Sequence, residues 1–142
     1  MTEPITASNT AVVEKFLYAL RDKDLDTAGS LLDEHLVYQN VGFPTIRGRR
    51  RTIKLFAGVS RSGSGFDVKF HRIAADGDVV LTERTDALIF GRVRLNFWVC
   101  GTFEVHEGRI TLWRDYFDLF DMVKGVARGL AGAVVPALNR KF

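Results

Sequence analysis

The sequence predicts an α+β fold, with helices gathered early in the chain and a meander of long strands after them. Three observations carry that expectation. Apolar residues recur at helical spacing through the first part of the chain. Beyond the polar "SRSGSG" (Ser60 to Gly65) the pattern turns to strand-like alternation. Asp76-Gly77 and Glu107-Gly108 then punctuate the alternating runs as hairpin turns.

Ser8, Asn9 or Thr10 is suited to cap a first helix, in which Val13, Phe16, Leu17 and Leu20 fall on one face. A short second helix is expected around "DLDTAGSLL", with Leu25, Ala28, Leu31 and Leu32 repeating the period. "EHLVYQN" reads as a short strand ended by Gly42 and Pro44. A third helix is expected from about Arg49 to Val59, burying Ile53, Phe56 and Ala57. "FDVKFHRIA", "DVVLTERTDALIF", "VRLNFWVCGTFEV" and "RITLWRDYFDL" supply the strands of the meander. From Leu119 to about Val135 the spacing predicts a closing helix with Phe120, Val123, Ala127 and Leu130 on its apolar side, against the contrary signal of its glycines. No repeat, linker or low-complexity tract divides residues 1–142, so one domain is expected.

Composition narrows the function classes. A chain with 46% hydrophobic and 26% charged residues is of ordinary globular type, and its 11 phenylalanines fill a core or line a cavity. The lone Cys100 excludes an intramolecular disulfide. The opening "MTEPITASN" lacks the basic and apolar regions of a secretory signal, and the longest weakly polar run, Gly129 to Leu138, is too short to span a bilayer. A cytoplasmic location is therefore expected. Four arginines lie within Arg47 to Arg51, but no stacking platform or reading motif accompanies them, so the run reads as a solvated helix start and not as a nucleic-acid surface. His35, His71 and His106 are too scattered for a metal site, "GSG" at Gly63 to Gly65 is no nucleophile elbow, and no Gly-Lys-Ser/Thr follows it to make a phosphate loop.

The strand parity of the charged residues is the informative feature. Side chains alternate between faces along a strand, so Trp113, Asp115 and Phe117 share a face with Thr111, and Ile110, Leu112, Arg114 and Tyr116 share the other. Arg84 and Asp86 share theirs with Val80, Leu88 and Phe90, and Leu36, Tyr38 and Asn40 lie together on the early strand. A carboxylate on an apolar face is costly unless it is paired. Asp86 and Asp115 are both satisfied if they aim at one cation, and Arg84 reaches both if the strands are close. A buried ion pair that merely pins register is the structural alternative.

"YQN" (Tyr38 to Asn40), "LTERTDAL" (Leu81 to Leu88) and "WRDYFDL" (Trp113 to Leu119) together resemble the motifs of the limonene-1,2-epoxide hydrolase family, in the same order. The resemblance implies helices packed on a strongly curved mixed sheet that forms a cone-shaped pocket, the fold of nuclear transport factor 2 and ketosteroid isomerase. It also implies addition of water to an epoxide without metal or organic cofactor, and a homodimer. Asp115 resembles the base that activates water, Tyr38 and Asn40 the groups that hold that water, Asp86 the acid that protonates the ring oxygen, and Arg84 the bridge between the carboxylates. Arg114 and Asp118 have no such role and read as structural.

Parity adds Leu88, Phe97, Val99, Trp113 and Phe117 as the apolar wall, suited to a terpene-, sterol- or fatty-acid-like epoxide. Two other readings stay open at this point. One is a different enzyme on this fold, of ketosteroid isomerase or polyketide cyclase type, and the other is a binding module without catalysis.

Overall fold

The computed structural model describes residues 5–138, and side chains from Ser8 onward. Helices α1 (Ile5–Arg21) and α2 (Leu25–Ser30) lead into β1 (Leu32–Asn40), the short β2 (Ile46–Arg47) and α3 (Arg49–Arg61). Then come β3 (Gly65–Asp76), β4 (Val79–Phe90), β5 (Val93–His106), β6 (Arg109–Phe117), α4 (Leu119–Val134) and a final turn of tighter helix over Pro136–Leu138. The strands form one sheet in the order β2-β1-β6-β5-β4-β3. β1 and β6 run parallel and the other neighbours antiparallel, so the sheet is mixed. Irregularities at Leu32/Val37, Phe70/Arg72 and Glu104/Val105 interrupt its ladders. Each such bulge bends its strand and adds twist, which curves the sheet around a concave face.

α1 buries the expected stripe: Val13, Phe16 and Leu17 are inaccessible and Leu20 is nearly so. The helix begins upstream of Ser8–Thr10, so none of these caps it. Asn9 has another task, donating from its amide to the Gly77 carbonyl at 2.9 Å and tying α1 to the β3–β4 turn. α2 is capped by Asp24, which accepts from Thr27 N, and ends at Ser30. The helical spacing that continued through Leu31 and Leu32 is overridden by strand pairing: Leu32 opens β1 opposite Ile110 and is wholly buried. α3 extends to Arg61, with Ile53, Phe56 and Ala57 half-buried.

The first hairpin turns one residue later than expected. Gly77 (φ +59°) takes its first central position, where only glycine is comfortable, and Asp78 the second. Glu107 and Gly108 both have positive φ, as a type I′ turn requires. The parity expected for β6 holds from Trp113 to Phe117 but fails at Ile110. Thr111 is the extra residue of a bulge, so Ile110 turns into the core and is fully buried.

α4 lies across β5 with the opposite face from the one its apolar spacing predicts. Phe120, Val123 and Leu130 are exposed at 68%, 63% and 55%, whereas Gly125, Gly129 and Gly132 are buried. The cause is close approach. A Cβ on Gly125 would stand 2.6 Å from the Asn96 carbonyl oxygen, and one on Gly129 equally near that of Arg94. Among the described residues no helix is long and apolar enough to cross a membrane.

Candidate active site

The register of three strands builds the site. Thr82, Gly101 and Asp115 lie side by side across β4, β5 and β6, with Arg84, Val99 and Phe117 in the next row. Asp86 pairs with Phe97 one row further on. Arg84 is wholly buried, and its guanidinium grips both carboxylates. Nε and Nη2 donate to Asp86 at 2.9 and 2.8 Å, while Nη1 and Nη2 donate to Asp115 at 3.1 and 2.9 Å. Nη1 also donates to Thr82 Oγ1 at 3.1 Å. A guanidinium has five N–H groups, and here each has an acceptor.

Burial and neighbouring charge shift three of these groups. Burial opposes the charge on Arg84, but Asp115 and Asp86 outweigh it and hold the guanidinium above its ordinary range. Burial raises the pKa of Asp86; Arg84 counters that rise, and the charge of Asp115 adds to it. A carboxyl in this position keeps its proton to higher pH than a free one. Burial, then Asp115, raises the Tyr38 phenol, which stays neutral and able to donate, although a hydrogen bond with Asn40 works the other way.

β1 completes the polar end. It pairs in parallel with β6, setting Tyr38 opposite Trp113 and Asn40 opposite Asp115. Tyr38 stacks on the Trp113 indole with ring centroids 4.0 Å apart, and Phe56 and Phe103 flank the same indole. Tyr38, Asn40, Asp86 and Asp115 thus converge on a cavity of about 270 Å³. Asp86 and Asp115 are about 5% exposed, so they mark its deep end, and the half-exposed Phe43 marks its mouth.

Of the five apolar wall positions expected, Leu88, Phe97, Trp113 and Phe117 line the cavity. Val99 does not. It is 1% exposed, packed in the row between Arg84 and Phe117, and belongs to the core. Phe43, Phe56, Phe66 and Met122 line the cavity without having been expected there. Phe66 was findable, because it pairs directly with Leu88 and shares its face. Phe56 lay on the inner face of the expected third helix, whereas Phe43 on a loop and Met122 on α4 carry no periodic signal. Arg114 and Asp118 are structural: Arg114 donates to Gln39 Oε1 at 2.9 Å across β1–β6, and Asp118 caps α4 by accepting from Phe120 N at 2.8 Å. None of the three histidines lines the cavity, and among the described residues no three His, Cys, Asp or Glu gather as metal ligands.

Two carboxylates held by one cation, at the buried end of an aromatic-lined cavity, are groups able to give and take protons. Comparison with known proteins agrees in kind. The family model of the limonene-1,2-epoxide hydrolase catalytic domain matches residues 7–128. Epoxide hydrolase EphG of Mycobacterium tuberculosis (strain ATCC 25618 / H37Rv) is 60% identical over 127 residues, spanning 89% of this chain and 85% of that protein. The solved structure of an M. tuberculosis LEH-like epoxide hydrolase superposes with a TM-score of 0.96 at 55% identity, covering 99% of this chain and 100% of the other. An NTF2-like protein from Cytophaga hutchinsonii ATCC 33406 shares the fold alone, with a TM-score of 0.66 at 21% identity over 84% of this chain and 99% of that one. The fold is NTF2-like, and the chain belongs to the limonene-1,2-epoxide hydrolase catalytic-domain family.

Proposed function

We propose that the protein adds water to an apolar epoxide, of terpene, sterol or fatty-acid type, and yields a vicinal diol in one general acid/base step. Membership in the family makes it an epoxide hydrolase of the limonene-1,2-epoxide hydrolase type. The proposal extends that to substrate class and mechanism. One observation carries it: a fully buried arginine clamps two carboxylates at the deep end of an otherwise aromatic cavity.

Asp115 takes a proton from a water held between it, Tyr38 and Asn40. The water oxygen attacks one epoxide carbon, the C–O bond breaks, and Asp86 delivers its proton to the leaving oxygen. Before the step Asp86 carries the proton, and after it Asp115 does, so one proton exchanged through solvent resets the pair. The raised pKa of Asp86 suits the acid, since that group must be protonated when substrate binds. No metal or organic cofactor has a part in these steps.

Single turnover in ¹⁸O-labelled water, with enzyme in excess over a panel of apolar epoxides, tests the mechanism. Label is expected in the first diol formed and in neither aspartate. An unlabelled first diol would mean that a carboxylate attacked carbon and was later hydrolysed. We also propose a homodimer. The exposed apolar row of α4, with Leu119, Phe120, Val123, Leu130 and Val134 each more than half exposed, supports it. Sedimentation across a range of protein concentrations tests that assembly, and a strictly monomeric species would remove it.

A further inference from the structure

The clamp on Asp115 crosses an intervening strand. Arg84 is on β4 and Asp115 on β6, with β5 between them. Strands lie about 4.8 Å apart, so β4 and β6 are separated by roughly 10 Å, and the guanidinium must lie over β5 to reach its second carboxylate. The residue beneath it is Gly101, in register with Thr82 on one side and Asp115 on the other. A Cβ there would stand 2.6 Å from Arg84 Nη1 and 2.8 Å from both Asp115 Oδ1 and Thr82 Oγ1. The backbone of Gly101 is not in the left-handed region, so it is the missing side chain and not a special φ that the position requires. Glycine in the interior of a strand marks a close approach. Here the approaching group is the cation.

Thr82 fixes the other side. Its Oγ1 accepts from Arg84 Nη1 at 3.1 Å and donates to the Gly101 carbonyl at 3.5 Å. Its hydrogen is thereby turned toward Gly101 and its lone pairs toward the guanidinium. Without it one N–H of a fully buried cation has no acceptor, and the guanidinium loses one of the five hydrogen bonds that fix its rotation.

We infer that Gly101 and Thr82 are positioning residues: Gly101 opens the path by which Arg84 crosses β5, and Thr82 sets the rotation at which it presents two N–H groups to Asp115. Neither lines the cavity. Both act through Arg84, and the assignment rests on the acid/base function proposed above.

The test compares wild type, Thr82→Val, Thr82→Ser and Gly101→Ala on an epoxide that the wild type hydrolyses, with thermal melting as a check on folding. Thr82→Val keeps the shape and removes the acceptor. Its kcat is expected to fall roughly tenfold, the worth of one hydrogen bond to a charged group, with KM nearly unchanged, and Thr82→Ser should restore the rate. Gly101→Ala is expected to lower kcat about 100-fold, as for an ångström-scale misplacement of catalytic groups.

If Gly101→Ala does not fold, the Val/Ser pair decides alone. Wild-type kcat in Thr82→Val, a defect in KM instead of kcat, or a Ser variant no better than Val would overturn the assignment while leaving the hydrolase reading intact. A wild-type protein that hydrolyses no epoxide would overturn both.

Discussion

The deep end of the cavity and the helix that walls its outer part are built by opposite means. At the deep end, position is held by hydrogen bonds: all five N–H groups of Arg84 are spent on Asp86, Asp115 and Thr82. Along α4, position is held by the lack of side chains, with Gly125 and Gly129 seated against the carbonyls of Asn96 and Arg94. Two carboxylates then fix where α4 starts. Asp118 caps it, and Asp121 accepts from the backbone N–H of Trp98 at 2.8 Å. Strand register sets the chemical groups closely, whereas Met122 reaches the cavity only as deeply as the seat of its helix allows. The two ends should therefore fail differently.

Asp86→Asn and Asp115→Asn are expected to cause the largest losses, about 10³-fold in kcat each, with a cooperative melt retained. Tyr38→Phe should cost less, near tenfold, because in the proposed mechanism Asn40 and Asp115 still hold the water. A variant at Asp115 with most of the wild-type rate would remove the deep end from catalysis, and loss of folding in place of activity would make the cluster a structural ion pair.

The pH profile sharpens the same contrast. Asp86 binds its proton more tightly folded than unfolded. Its contribution to stability is thus complete below the ordinary carboxyl pKa and is lost as pH rises through the raised value. With Asp86 as the proposed acid, catalysis follows the same sign, since that group must be protonated. The basic limb of kcat should lie above the usual carboxylate range, and a limb within that range would count against Asp86 as the acid.

Gly125→Ala probes the outer wall. The added methyl meets backbone and cannot be absorbed by a rotamer change, so a loss of about 1–3 kcal/mol is expected from thermal melts. The displaced Met122 should shift preference toward bulkier epoxides, with kcat on the best substrate little altered. Unchanged relative kcat/KM across a size series would show that α4 does not set selectivity. The smallest effect is expected for Asp118→Ala, which loses a helix cap worth about 1 kcal/mol and leaves kcat in place.

Strand parity made the deep end legible. Arg84, Asp86 and Asp115 stood out because a period of two forces them onto faces where bare charge is costly. What parity could not give was the distance between strands. Reach from Arg84 to Asp115 was conditional on the strands being close; β5 lies between them, and Gly101 supplies the passage. Val99 shows the converse limit, since it shares the right face but lies too deep in the packing to line the cavity. α4 was misread for a physical reason: periodicity weighs apolar side chains, and the face that packs closest has none. Bulges and turns shifted Ile110 and the first hairpin by local register, which depends on partners far along the chain.

The parallel ladder between β1 and β6 has a kinetic consequence. β3–β4, β4–β5 and β5–β6 are hairpin neighbours that can pair as soon as both strands exist. β1 must wait for β6, with nearly the whole sheet lying between them in sequence. Closing so long a loop is slow compared with forming hairpins. Arg84 can meet both its carboxylates within the meander, but Tyr38 and Asn40 join Asp115 only when that last ladder zips. During synthesis or refolding, the charge cluster should therefore assemble first and Tyr38 and Asn40 join it last, so that catalytic competence lags behind the recovery of β structure.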